Sequence, residues 1–548
     1  MTMGARFPGI IVGYHRSLGY LRYHGQQFVM LAAPTRSGKG VGIVIPNLLT
    51  YPDSVVVLDL KLENFRYTSK VRAAAGQEVY LFAPFSEDGV THRWNVFDAV
   101  KQFPEHLRIG EIMSIGEVFW PSRVDARTKF FHDSARNLFL ALALYLLETP
   151  GMPVTMGEIV RQGSGAGTQL KQHVQEILRT RAKAGAAGPA LSGDCVDAFN
   201  RFLGIPDNTL GNITGTFNAP LLVFANPVVD AATSESDFDL SKVRSRRMSV
   251  YFGVTPNRLA DAGQLINLFY SQLIKLNMRQ LPKENADLKY QCAVFLDEAA
   301  AVGKIGIIDE SNAYIAGYNI RLITIIQSVA QLQRDDMYGK DGARTLVTNH
   351  GLQILYPPRE QADANEYSEM LGYFTAVQRS RGRTTGKGIS TNNGQTEQKR
   401  ALMMPQELKE MSQESEIIIT ENCKPIRCDK AYYYKDRAFI DVLKQHSPTL
   451  AALGKEMPNQ DALELAALQR KELSVPIPVI DIQAAMAQRN ARRNGSPELV
   501  EVRPEELHLI DARDITNGDE IFAALCEQFP FLREIDAMNG LRAAAEAA

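Results

Sequence analysis

The stretch that most constrains this chain is residues 27–43, QFVMLAAPTRSGKGVGI, where an apolar run meets a lysine bracketed by glycines. Gln27 to Ala33 reads as a short buried strand, Pro34 to Gly38 is rich in turn formers, and Lys39 opens a helix running to about Leu49. That order turns successive backbone N–H groups inward, so phosphate oxygens meet a row of donors, a helix N-terminus and a full positive charge. Pro34, Thr35, Arg36, Ser37, Gly38, Lys39, Gly40 and Val41 form the candidate cradle, and the ligand it predicts is a nucleoside triphosphate. Two positions depart from G-x-x-x-x-G-K-[ST]. Ala33 replaces the first glycine, and Gly40 stands where a hydroxyl residue ordinarily meets Mg2+. Alone, so degenerate a match equally describes a glycine-rich turn, and its weight comes from the residues that follow.

The sheet around this loop is written in apolar runs. Residues 5–26 read as an opening hairpin, and Ser54 to Leu60, SVVVLDL, as a strand covered on both faces of a parallel sheet. Its end carries Asp59 and Lys61, then Glu63 and Asn64, which can begin a helix; a further strand spans Glu78 to Ala83. From about Pro104 to Pro220 the periodicities turn helical, as in Phe131 to Leu147 and Leu170 to Ala184, which predicts an all-helical insertion between two parts of one sheet. The sheet resumes at Met248 to Val254, with a long helix near Ala262 to Arg279. At 548 residues the chain exceeds what one core usually organises. The division expected is residues 1–103 and 221–440 as the two parts of an α/β nucleotide-binding domain, 104–220 as an all-α domain, and 441–548 as a C-terminal extension.

Two more strand ends bear chemistry. In CAVFLDEAA, residues 292–300, an apolar run leads directly to Asp297 and Glu298, placing both carboxylates at the C-terminal lip of a buried strand, where open α/β sheets bind ligands. One carboxylate there can hold Mg2+ through water and the next can polarise an attacking water; a helix N-terminal charge pair is the alternative. Thirty residues on, RLITII ends at Gln327 and Ser328. An amide at that lip can orient a water near a γ-phosphate or simply cap the next helix. Lys39, Asp297, Glu298 and Gln327 together predict a site for splitting a triphosphate.

The loop APTRSGKGVG, the strand end VVVLDLKLEN, SVYFGVTPNRL, FLDEAAAVGKI, IRLITIIQSVAQLQRDDMYG, RALMMPQELKEM and CDKAYYYKD follow one another across residues 5–440. In these motifs the chain resembles the VirD4/TraG family of type IV coupling proteins, in which a glycine at position 40 of this sequence is common. The resemblance implies a RecA-like P-loop NTPase domain with an inserted all-α domain, working as a homo-hexamer on ATP and Mg2+ at the cytoplasmic face of the bacterial inner membrane. It implies partners too: single-stranded DNA with a bound relaxase, and the inner-membrane components of the secretion channel. Carried over by position, Lys39 binds phosphate, Asp297 assists Mg2+, Glu298 is the catalytic base and Gln327 the sensor. Some relatives place an arginine just before the glycine that precedes the fourth catalytic strand; here Ala316 precedes Gly317, and Arg321, Arg334 and Arg344 stay open for that role. Relatives also begin with transmembrane helices, so the expectation is a membrane-spanning segment ahead of this sequence, with anchoring through a partner as the alternative. Its own most continuous apolar run, Leu138 to Leu147, falls short of the about 20 residues a bilayer requires.

Charge and cysteine usage narrow the partners. The net charge of −2 conceals an acidic end: residues 441–548 hold 18 acidic and 11 basic residues, so −7 there leaves +5 for the remainder. Residues 377–400 hold Arg379, Arg381, Arg383, Lys387, Lys399 and Arg400 against Glu397 alone. Such a polar stretch is expected to form no core of its own, and either contacts a nucleic-acid backbone, through Arg379, Arg381, Arg383 and Lys387, or stays a solvated loop. Five scattered cysteines exclude a disulfide framework, and Cys423 and Cys428 lack the second pair that a zinc site needs. Past Asp441, residues 448–473 read as helical, SVPIPVI at 474–480 as an extended linker, and Ile521 to Leu532 as a short amphipathic helix in an acidic arm. Two other functions share the motifs: a cytosolic double-stranded DNA translocase of the FtsK/HerA kind, and a nucleotide-binding scaffold without turnover.

Overall fold

A computed structural model describes residues 7–185, 188–385 and 389–493. Its centre is an eleven-stranded mixed sheet built from β1 (Gly9–His15), β2 (Gly19–His24), β3 (Val29–Ala32), β4 (Ser54–Asp59), β5 (Glu78–Phe82), β6 (Met248–Gly253), β7 (Cys292–Leu296), β8 (Ile320–Ile326), β9 (Leu352–Leu355), β12 (Ser415–Thr420) and β13 (Ile426–Asp429). The order is β2-β1-β13-β12-β9-β3-β8-β7-β4-β6-β5. From β9 to β5 every pairing is parallel, whereas β12, β13, β1 and β2 extend the sheet antiparallel. The parallel strands are apolar at successive positions because both faces are covered: Met30, Val56, Leu58 and Leu322 enter one core, and Val29, Leu31, Val57 and Ile323 the other.

Between β5 and β6 the chain is helical, including Glu105–Phe119, Ala126–Leu147, Leu170–Thr180, Gly193–Leu203 and Asp207–Asn218. Trp120 stacks on Phe217 at 5.4 Å between ring centroids, and the apolar side chains of this body are continuous with the core on one face of the sheet. The helices α1 (Ile45–Thr50) and α2 (Glu63–Ala74) lie on the other side, where Ile45, Tyr67 and Val71 pack with Phe439, Ile440 and Leu443 of helix Arg437–His446. The 474–480 stretch is extended but docked: the Ile480 N–H donates to the Gly89 carbonyl at 2.9 Å, and Thr91 N–H to Pro478 O at 3.2 Å. The chain divides into two compact units, up to Gln483 and from Ala484. Of the second, only residues 484–493, within helix Ile482–Arg493, are described, and the segment Ile521 to Leu532 lies outside the described residues.

The basic stretch, expected to contact a nucleic-acid backbone or to stay a solvated loop, is a paired ribbon. β10 (Tyr373–Thr385) and β11 (Ile389–Ala401) pair antiparallel over their full length, from Tyr373 opposite Ala401 to Thr385 opposite Ile389. A two-stranded ribbon satisfies its backbone groups by mutual pairing, and so needs no apolar core to form. No described helix is long and apolar enough to cross a membrane.

Candidate functional site

Strand β3 carries the chain to the sheet's rim, where the Ala33 N–H still donates to Ile326 O at 2.9 Å. Ala33 is fully buried and outside the left-handed region, so this fold does not require the glycine that the usual pattern has there. Gly38 is different. Its φ is +86°, and a Cβ added to it would lie 2.9 Å from Tyr432 Cε1, so conformation and space both demand glycine. Lys39 leads into the π-turn Gly40–Val44, which continues as α1. An added Cβ at Gly40 meets nothing within 4 Å, so the missing hydroxyl does not reflect crowding. Asn47 fixes α1 to β1: its Oδ1 accepts from Ile11 N–H at 2.7 Å and its Nδ2 donates to Ile11 O at 2.8 Å.

Because β8 lies between β3 and β7, the three strand ends sit side by side. Glu298, the second residue beyond β7, has φ +60°, a left-handed conformation that costs a non-glycine residue about 1–2 kcal/mol. Its carboxylate forms an ion pair with the Lys39 ammonium, which also lies 3.8 Å from Asp297 Oδ1. Residues 259 apart in sequence thus meet at one point. Gln327, directly after β8, accepts a hydrogen bond at its Oε1 from Thr35 Oγ1 at 3.1 Å. Lys39, Asp297, Glu298, Gln327 and the cradle are therefore assembled on one rim.

The electrostatics are those of an acid cluster around one cation. Burial raises the pKa of Asp297, Lys39 opposes the rise, Glu298 adds to it, and a hydrogen bond from the Asn64 side chain opposes it. Asp59 at the end of β4 is fully buried and accepts from Phe65 N–H at 2.8 Å; burial pushes its pKa up to about 7, with the Asp297 charge a further contribution. Asp297 Oδ1 is buried and accepts no hydrogen bond, and neither does the buried Ser37 Oγ of the cradle find a partner. An unsatisfied carboxylate oxygen at this lip fits a hard divalent cation such as Mg2+. No group of three or more His, Cys, Asp or Glu that could hold a metal exists among the described residues.

A family model described as type IV secretory system conjugative DNA transfer matches residues 8–456. The chain belongs to that family. It is 30% identical over 432 residues to protein VirD4 of Rhizobium radiobacter, covering 79% of this chain and 60% of that protein. To the conjugal transfer protein TraG of Escherichia coli it is 28% identical over 408 residues, 72% of this chain and 63% of that one. It thus spans about three-fifths of the length of these relatives. Among solved structures, the bacterial conjugative coupling protein TrwB matches in its unbound form with TM-score 0.54 at 13% identity, covering 74% of this chain and 84% of that one. TrwB in complex with ADP and Mg2+ matches with TM-score 0.53 at 14% identity, covering 74% and 86%. The chain thus shares the α/β fold of TrwB.

In this family member three residues around the cradle escaped the sequence reading. Arg359 Nη2 donates to the Thr35 carbonyl at 2.9 Å, Lys430 Nζ to the Ser37 carbonyl at 2.8 Å, and Tyr432 packs against Gly38. The last two lie in CDKAYYYKD, a motif whose chemistry no spacing rule announces; Arg359 carries no signal at all. Of the arginines left open, Arg321 is buried and donates to the carbonyls of Gln27 and Tyr23, which makes it a brace beneath the sheet. Arg334 pairs with Asp336 next to it, and Arg344 is exposed on helix Gly339–Thr348. On the ribbon, Arg379 is exposed, Arg381 and Arg383 stand opposite Asn393 and Thr391, and Lys387 lies outside the described residues.

Proposed function

We propose that this protein is the ATP-hydrolysing coupling component of a type IV secretion or conjugation apparatus, passing single-stranded DNA with its bound relaxase to the inner-membrane channel. The observation carrying the proposal is the meeting of Lys39 with Asp297 and Glu298 beside a glycine-bent loop, with a buried carboxylate oxygen left unsatisfied. The names of the relatives and the ADP and Mg2+ bound to TrwB point the same way. Lys39 exchanges Glu298 for phosphate oxygens, and the inward N–H groups of the 34–41 cradle hold the remaining charge. Glu298, freed, takes a proton from a water that Gln327 orients; the water oxygen bonds to the γ-phosphorus as the bond to the leaving ADP oxygen breaks. Mg2+, held from Asp297, supplies neutralisation of the charge on the phosphates.

Arg379, Arg381 and Arg383 of the ribbon, together with Lys387, hold the DNA backbone. The working form is a homo-hexamer on the cytoplasmic face of the inner membrane, with residues 104–220 taking part in substrate docking and 441–548 as an extension. The test is ATP turnover with and without single-stranded DNA, in the wild type and in Lys39→Ala. DNA-stimulated turnover that vanishes in the variant is expected; a well-folded, hexameric wild type without turnover overturns the proposal.

A further inference from the structure

Lys430, directly after β13, is a cation that the chemistry above does not use. Only 4% exposed, its ammonium lies 3.6 Å from the centroid of the Tyr356 ring and donates to the Ser37 carbonyl at 2.8 Å. Beneath it Glu416 of β12 is fully buried, with Oε1 accepting from the Cys428 thiol at 3.6 Å and Oε2 without a partner. Burial lowers the Lys430 pKa to about 8, and the Glu416 charge opposes that fall. Burying an ammonium is costly unless what it contacts repays the lost hydration. What Lys430 contacts is the backbone of the phosphate loop.

The geometry has a direct consequence. The Ser37 carbonyl and the Gly38 N–H belong to one planar peptide and point in opposite directions. A cation that holds the oxygen from outside therefore aims the N–H inward, toward the phosphate. Gly38 is free to rotate, with φ at +86° and no side chain of its own, and so relies on its surroundings for orientation. Tyr432 closes the same wall against Gly38, and Tyr356 OH would lie 2.9 Å from a Cβ at Gly42. Lys430 and Tyr432, just after β13, and Tyr356, directly after β9, thus place an outer wall on the loop.

We infer that Lys430 is a positioning residue for nucleotide binding: it fixes the Ser37–Gly38 peptide so that the Gly38 N–H faces the phosphates. The inference rests on the proposed nucleotide site and goes beyond it, since Lys430 touches no reacting atom. Replacing it by methionine keeps the packing over Tyr356 and deletes the charge-assisted hydrogen bond.

The experiment measures ADP affinity, ATP turnover and thermal melting in the whole 548-residue wild type, Lys430→Met and Lys39→Ala. Lys430→Met is expected to weaken ADP binding and raise KM about 10- to 100-fold, the worth of one hydrogen bond to a charged group. Its kcat at saturating ATP should stay within about threefold, because the base and sensor are untouched. Unchanged ADP affinity in Lys430→Met, or a fall in kcat with KM constant, overturns the inference while leaving the nucleotide site standing. Should Lys430→Met melt well below the wild type, Lys430→Gln replaces it. The glutamine amide is uncharged and one bond shorter, so it cannot reproduce the 2.8 Å hydrogen bond to the Ser37 carbonyl, and ADP affinity equal to wild type in that folded variant also overturns the inference. Wild type that binds no ADP sinks the nucleotide site itself, and the inference with it.

Discussion

Changing Glu298 to glutamine separates two roles that the structure gives one carboxylate. In the nucleotide-free protein Glu298 is the ion-pair partner of Lys39, the two side chains being 30% and 14% exposed. Screening at that exposure leaves such a pair worth about 0.5–1 kcal/mol, and a bound phosphate has to displace it. Glutamine keeps the shape and removes the charge, so ATP should bind about two- to fivefold more tightly to the variant. The same change removes the proton acceptor, and loss of a general base slows the chemical step by about 10²- to 10⁴-fold. Equilibrium titration with labelled ATP gives the first quantity, and single-turnover hydrolysis at saturating ATP the second. The two effects run in opposite directions, tighter binding with slower chemistry. Turnover within tenfold of the wild type refutes Glu298 as the base. Weaker ATP binding in a variant that melts like the wild type refutes the competition for Lys39.

Three further outcomes follow from the geometry. Gly38→Ala should destabilise the protein by at least about 1–2 kcal/mol from the left-handed φ, with more from displacing Tyr432; in denaturant titration, adding Tyr432→Ala should recover the second part only. Asp59 binds more protons folded than unfolded between pH 3.8 and about 7, so its contribution to stability falls as pH rises through that window and levels off above it. Asp59→Asn, whose amide oxygen can still accept from Phe65 N–H, should flatten that slope in melting experiments without nucleotide, and an unchanged slope refutes the assignment. Substituting Arg379, Arg381 and Arg383 by alanine should lower the salt dependence of single-stranded DNA binding by about 0.7 per arginine, for all sequences alike, and an unaltered slope removes the ribbon from the DNA path.

What could be read from the sequence was whatever local chemistry encodes. The valine run of β4, the acid pair after β7 and the glutamine after β8 announce strand ends because a parallel strand buried on both faces leaves few polar positions, and those fall at its lip. The ribbon escaped because an apolar-content argument tests for a core, and paired strands can satisfy their backbone without one. Lys430, Tyr432 and Arg359 escaped for another reason. Each acts through contact with a loop hundreds of residues away, and no periodicity in its own neighbourhood reports a partner at that distance. The absent first glycine, by contrast, has a plain account: Ala33 is an ordinary buried strand-end residue, and nothing in its backbone requires otherwise.

The outer wall of the phosphate loop also sets a timetable. Lys430 reaches back across 393 residues to Ser37, so the phosphate loop acquires its finished shape only after one of the last parts of the sheet has been made. A nascent chain stopped short of β13 would carry the lysine, both acids and the glutamine, yet present them around a loop braced on one side. On the proposed reading of the site, a growing polypeptide would capture nucleotide only once the sheet is complete, and a fragment trimmed to the parallel strands alone would hold every signature residue while gripping phosphate poorly.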